Sequence, residues 1–541
     1  MRLVQFQTRF IVICILLCLT MRQGYGAKNL DLLPFPWQIT PADNFISATQ
    51  PRFTAANYKE INYNATPIAD NVDVMQFITE NYFTRRLRFY EMGTLTTERA
   101  LDTSEARNLI RSEEKYDVIV MEEFLNEAFY VFAHKFKCPV VLVHSFGTTS
   151  VVNRIFGNSA PRSYVPLEYL NFTDKMTLLE RLENAIKTIF RDLAQDLYYI
   201  SRQQALAVKY LGDSGVEIPN LEEIIARQTD FILINSHPAF YNPRPFMTNM
   251  KDVGGLHLKP VKALPLDLQQ YLDSSQNGVI LFSLGSAMQS TLVPEHLSQA
   301  LKRAFERLPF DVLWKWENDT MINKPRNVRI VKWLPQNDIL AHPKLKLFIT
   351  HGGVSSLMET VYHGVPIVGI PLFGDQPSNI LLAQMRGYAE SLVLQTMTED
   401  QIYSAIMKVS TDTKYRDNVG KISAYWRDQM DHPLDQAVHW VEYIIKRGGA
   451  RHLKAAITEQ SFVQYLLLDV AFVILATLAS AFLLMRQTIR LFCRISYNKK
   501  LKVAIEFTIS ELPGVRKYPY HKINCQYVQI YRLDKIEELN N

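Results

Sequence analysis

The chain has 541 residues, of which 48% are hydrophobic and 21% charged, with a formal net charge of +5. That length exceeds one ordinary hydrophobic core and calls for two or more domains, and the composition excludes a disordered chain. The basic residues are scattered rather than gathered into a stripe, which argues against a nucleic-acid partner.

In chain order, the first expected element is a secretory signal over residues 1–26. Arg2 and Arg9 precede the apolar stretch Phe10–Thr20, and Gly24 and Gly26 bracket Tyr25 at a small-residue cleavage position. From Ala27 to Phe53, "AKNLDLLPFPWQITPADNFISATQPRF" shows no strand pattern. Tyr116–Glu122, Cys138–Ser145 and Phe231–His237 read as buried strands, and Leu178–Leu211 as a long helix. Asn242–Leu266, rich in Pro and Gly, reads as a linker. Beyond it, Gly278–Ser286, Phe310–Glu317, Val328–Pro335, Leu345–Gly353 and Val365–Pro371 read as strands with helical connections. The alternation predicts an α/β protein with parallel sheets: an N-terminal domain over 27–255 and a C-terminal domain over 256–455.

Phe462–Met485 is apolar over about the ~20 residues a membrane helix needs. Arg486, Arg490, Arg494, Lys499 and Lys500 follow with no acid between them, but Lys446, Arg447, Arg451 and Lys454 flank the other side, so the positive-inside bias is modest. The signal sets the orientation, with the main body lumenal and 486–541 a cytosolic tail. Cys14 and Cys18 fall in the signal, and Cys493 and Cys525 beyond the membrane segment. Cys138 alone remains in the body, so no intramolecular disulfide is expected there. Asn64-Ala-Thr, Asn171-Phe-Thr and Asn318-Asp-Thr are glycosylation sequons that agree with a secretory route.

The most informative stretch is "FITHGGVSSLMETVYHGVPIVGIPLFGDQPSN", Phe348–Asn379. A strand ending in His351-Gly352-Gly353 lets the backbone turn tightly, and the helical spacing of Val354–His363 puts Ser355 and Ser356 in a first turn. Free amides and the positive end of a helix dipole suit an anion there, phosphate above all. A capped helix start is the other reading of these serines. Gly285-Ser286 ends an earlier strand, and in open parallel sheets ligands sit outside such ends. Glu359, one turn after the serines, suits a ribose diol or a solvated position. Trp333 suits a nucleobase face or a core position. No His/Asp/Glu cluster has metal-ligand spacing.

"WLPQNDILAHPKLKLFITHGG", "VYHGVPIVGIPLFGDQ", "FSLGS" and "LWKWE" together resemble the signature of the UDP-glycosyltransferases that conjugate small lipophilic molecules, particularly the animal membrane-bound branch. The resemblance runs from about Tyr116 to the membrane segment. It implies a GT-B fold, two Rossmann-like domains facing a cleft plus a C-terminal transmembrane helix, in the endoplasmic reticulum. It implies inverting, metal-independent transfer of glucose or glucuronate from a UDP-sugar co-substrate, with no further cofactor, to a hydroxyl of a small lipophilic acceptor. Glucose is favoured because the sequence looks invertebrate, and association with relatives as a homo- or hetero-oligomer is a further partner class. Carried over residue by residue, Trp333 would stack on uracil and Gln336 would lie beside the uridine. Ser286, His351, Gly353 and Ser356 would hold the diphosphate, with Ser355 where relatives often have Asn. Glu359 would bind ribose, and Asp375 and Gln376 the sugar hydroxyls.

The family's general base is a His in the turn after the first strand, oriented by an acid at a later strand end. Here no histidine precedes His134, and the first strand–turn–helix is expected to be missing. The orienting acid falls on Glu122, with Glu123 and Glu127 as neighbours. His134 and His144 lie in or beside apolar runs, where a structural histidine is expected. Two explanations follow: an active enzyme whose chain lacks an early exon, or a homologue that binds UDP-sugar but transfers poorly. A second departure is the extended tail. Relatives end in a short basic tail with a dilysine near the terminus, whereas Lys499-Lys500 is followed by residues 501–541.

Overall fold

The computed structural model describes residues 30–32, 58–60, 80–212, 217–285 and 289–510, and short strands at 515–517, 521–523, 526–528 and 531–533. The signal segment, Asn64 and Ser286 lie outside the described residues. The chain divides into one unit to Thr458 and another from Glu459.

The first unit holds two six-stranded parallel sheets. In its first half the strands are β1 (Leu30–Leu32), β2 (Tyr58–Glu60), β3 (Val118–Glu122), β4 (Val140–His144), β5 (Thr229–Ile234) and β6 (Met250–Asp252), in the order β2-β1-β3-β4-β5-β6. The apolar runs of β3, β4 and β5 are buried along their whole length, as strands covered on both faces require. Met121, Leu142 and Ile232 pack on one side with the helices Tyr130–Phe136 and Leu221–Gln228. The opposite face, with Val120, Val143 and Leu233, takes the helix Pro433–Arg447 through Val438, Val441 and Ile444. Each such buried aliphatic is worth about 1.5–3 kcal/mol.

The second half holds β7 (Val279–Ser283), β8 (Asp311–Lys315), β9 (Val328–Val331), β10 (Leu345–Thr350), β11 (Ile367–Gly369) and β12 (Ala389–Ser391), ordered β12-β11-β10-β7-β8-β9. The order reverses between β7 and β10, the position where doubly wound sheets open a crevice for ligands.

Four expectations need correction. Leu30–Leu32 is a strand after all, hydrogen-bonded between β2 and β3; three residues are too few to show a hydrophobic period. The expected linker from Asn242 contains β6, which completes the first sheet, so the connection shortens to residues 253–265. The edge strand β12 escapes the sequence reading because "AES" has no strand composition and is held by pairing to β11. The helix Pro433–Arg447, counted with the second domain, packs on the first sheet. The expected helix Leu178–Leu211 is continuous except for a π-turn at Gln195–Tyr199.

In the second unit, Phe462–Tyr465 is a short helix and Leu468–Ser510 a single helix of 43 residues. At ~1.5 Å per residue it is about 65 Å long, twice a hydrocarbon core of ~30 Å. It is long and apolar enough to cross a membrane, and it runs well past the expected end at Met485. In the first unit Cys138 is buried, whereas Asn171 and Asn318 are exposed outside helices and strands.

Candidate functional site

Ser283 at the end of β7 lies in register with Thr350 at the end of β10, so the turns after both strands share one edge of the sheet. The turn after β10 is His351-Gly352-Gly353, and Gly353 caps the helix Val354–His363 with no side-chain bond to its amides. The glycines are there for space. A Cβ on Gly285, which has φ 72°, would lie 2.6 Å from His351 Cε1, and one on Gly353 would lie 2.5 Å from His351 Nε2. The imidazole therefore fits only because both backbones approach it bare.

Against these turns lies a cavity of about 410 Å³. Ser283, Gly285, His351, Ser355, Ser356 and Glu359 line it from the strand ends and helix, and Trp333 and Gln336 from the segment after β9. Gln336 Nε2 donates to Ser356 Oγ at 3.0 Å and to Glu359 Oε2 at 2.6 Å. Burial pushes the Glu359 carboxyl up to about 7, partly offset by the Gln336 bond. Trp333 is 51% exposed at the cavity, which removes the core reading; Trp314 and Trp426 are buried instead.

His351 is 2% exposed, and burial, with Lys315 adding repulsion, holds its imidazole down at about 4, so the ring is neutral. Neither of its nitrogens, nor Ser355 Oγ, has a hydrogen-bond partner among the described residues. Buried polar atoms are normally paired, at a cost of about 1–3 kcal/mol when they are not. Their convergence beside a cavity, at the positive end of a ten-residue helix, makes a setting for an anionic ligand.

Asp375 and Gln376 do not line this cavity. Gln376 Oε1 accepts from the backbone N–H groups of Leu372 and Phe373 at 2.9 and 3.2 Å, folding its own loop. Asp375 accepts from Asn379 Nδ2 at 2.6 Å, which also donates to Gly352 O at 3.1 Å, so this loop braces the His-Gly-Gly turn. Burial raises Asp375 to about 6.

In the first half, Glu122 ends β3 and is 1% exposed. Its Oε1 accepts from Ser145 Oγ at 2.6 Å, not from a histidine. His144 Nδ1 lies 2.9 Å from Glu123 O, and burial lowers the ring to about 4. Burial, with Glu127 adding repulsion, raises Glu123 to about 8. His134 sits in the last turn of the helix Tyr130–Phe136.

Sequence reasoning missed Lys315 and the linker residues His257, Lys259 and Lys262, all of which line the cavity. Nothing local marks the linker residues. Lys315 lies inside the motif "LWKWE".

Two Rossmann-like parallel sheets, with a ligand site at the switch point of the second, form a GT-B fold. The chain matches the family described as "UDP-glucoronosyl and UDP-glucosyl transferase" over residues 62–503. It is 35% identical to UDP-glycosyltransferase UGT5 of Dactylopius coccus, over 72% of this chain and 73% of that one. It is 34% identical to UDP-glucuronosyltransferase 2C1 of Oryctolagus cuniculus, over 77% of this chain and 82% of that one. Among solved structures it is similar to the calicheamicin glycosyltransferase CalG4, with TM-score 0.49 and 18% identity over 73% of this chain and 87% of that chain. The chain belongs to the UDP-glucuronosyl and UDP-glucosyl transferase family.

Proposed function

We propose that the C-terminal half binds a UDP-hexose, glucose in preference to glucuronate, for inverting transfer to a hydroxyl of a small lipophilic acceptor. The observation that carries this reading is the group of unpartnered buried polar atoms, on His351 and Ser355, beside the cavity at the helix start. In this reading Trp333 stacks on uracil, Gln336 lies beside the uridine, and Glu359 accepts from the ribose. His351, Gly353, Ser355 and Ser356 surround the diphosphate, with Lys315 nearby, and Ser286 is assigned there from the resemblance alone. The leaving diphosphate meets a helix terminus and side-chain donors, which supports transfer without a metal. Asp375 and Gln376 take the hexose hydroxyls only if the loop reorganises, because their present bonds point inward.

A second reading, a homologue that binds donor but transfers poorly, is favoured by the absence of histidine before His134 and by the Glu122–Ser145 bond. Loss of a general base costs about 10²–10⁴-fold in rate. Calorimetry of the full chain with UDP, paired with glycoside formation from a panel of phenols and sterols, tests both. Absent UDP binding overturns the donor site; binding without turnover selects the second reading. In this reading the body faces the lumen of the endoplasmic reticulum, which glycosidase sensitivity of the exposed Asn171 and Asn318 sequons would check.

A further inference from the structure

The connection between the two halves does more than join them. His257 lies on it, is 7% exposed, and lines the same cavity as Trp333 and Glu359. The connection is tied to the second half at two points just after that residue. Asn337 Nδ2 donates to Lys259 O at 3.2 Å, and the Lys262 N–H donates to Asp338 Oδ1 at 2.9 Å. His257 Nε2 itself lies 3.2 Å from Ser355 O, in the first turn of the helix that follows the His-Gly-Gly turn.

The tautomer follows from that partner. Burial, partly offset by the Ser355 carbonyl, holds the ring at about 4, so at neutral pH it carries one N–H. A carbonyl can only accept, so the proton sits on Nε2 and Nδ1 keeps its lone pair. Nδ1 is buried and has no partner among the described residues. A neutral acceptor beside a cavity calls for a donor on the ligand, which phosphate oxygens cannot supply; sugar hydroxyls and the uracil N3–H can. Glu359, one helical turn from Ser355, belongs to the same wall.

We propose that His257, supplied by the interdomain connection, contacts the bound nucleotide sugar by accepting a hydrogen bond from a hydroxyl at Nδ1. The inference rests on the donor-site reading above. It makes the connection a wall of the donor site, so that donor binding engages the segment joining the halves. Hydroxyls are present on the ribose and on the hexose, and the test separates them.

The test uses the full-length protein and two substitutions that divide the ring's roles. His257→Gln places an amide N–H near the Nε2 position and can keep the Ser355 bond while losing the Nδ1 acceptor. His257→Asn places an acceptor near Nδ1 and loses the Ser355 bond. Affinities of both variants and the wild type are measured calorimetrically for UDP, UDP-glucose and 2′,3′-dideoxy-UDP. The expected result is about a three- to tenfold loss in His257→Gln, with His257→Asn close to wild type. Loss for UDP but not for the dideoxy nucleotide assigns the ribose; loss for UDP-glucose alone assigns the hexose. The reverse pattern, equal losses for all three ligands whether in both variants or in His257→Gln alone (the mark of a contact to the shared uracil N3–H), or unchanged affinities overturn the hydroxyl contact. A wild-type protein that fails to bind UDP overturns the donor-site reading itself, a result distinct from normal wild-type binding with insensitive variants.

Discussion

His144 and His351 invite direct comparison. Each lies at the end of a central parallel strand, each is about as buried as a side chain can be, and burial lowers each to about 4. His144 is anchored through Nδ1 to Glu123 O and stands edge-on to Phe146 with ring centroids 5.6 Å apart. His351 has no such anchor, is hemmed by two glycines, and lines a cavity. Depth and titration are shared, so neither separates a structural histidine from a binding one. What separates them is that one ring nitrogen of His144 is engaged by the protein and neither of His351 is, and that open volume adjoins only His351.

The largest expected effect is on the anchored ring. His144→Ala removes a packed ring and a buried hydrogen bond, and should destabilise the first half by about 2–4 kcal/mol in urea titrations. UDP affinity of the folded variant should stay unchanged; a loss comparable to that of a cavity residue would break the comparison. His351→Ala should do the opposite, weakening UDP by about ten- to a hundredfold with little change in the urea midpoint. Unchanged affinity would show that His351 merely fills the turn.

Glu123→Gln comes next, and its sign depends on pH. Burial raises the folded-state carboxyl from 4.5 to about 8, so its favourable protonated form is fully present below 4.5 and is lost as pH rises through about 8. The amide should therefore stabilise by about 1–2 kcal/mol at pH 9 and by little at pH 4.5, measured by thermal melts across that range. A pH-independent difference would contradict the burial of the carboxyl. The smallest effect concerns Glu359. As it ionises around pH 7 it becomes a better acceptor for ribose hydroxyls, so UDP affinity should rise about threefold from pH 6 to 8. Glu359→Gln should flatten that rise.

Much of the second half was legible because its signals are local. The expected helix Val354–His363 coincides with the one observed, since a glycine turn, a helical apolar spacing and the left-handed Gly364 at its end all lie within the thirteen residues Gly352–Gly364. Trp333, Gln336, Ser356 and Glu359 were assigned from a contiguous motif and do converge on one cavity. The first half was less legible. Leu30–Leu32 becomes a strand only through two neighbours, and Glu122 finds Ser145 rather than a histidine through strand pairing. His257 was unreadable because a linker residue acquires a role only from what the linker crosses.

The amino-acid sequence by itself determined the alternation of buried strands and helices, the tight turn that admits His351, and a C-terminal segment apolar enough for a membrane. Period, glycine placement and side-chain volume act over a few residues, so they can be read without the rest of the chain. Only the tertiary structure decided that Pro433–Arg447 closes the first sheet, that Asp375 and Gln376 brace a turn instead of lining the cavity, and that the connection forms one of its walls. Those outcomes depend on apolar burial and hydrogen bonds between segments as many as several hundred residues apart, and such pairings leave no local pattern.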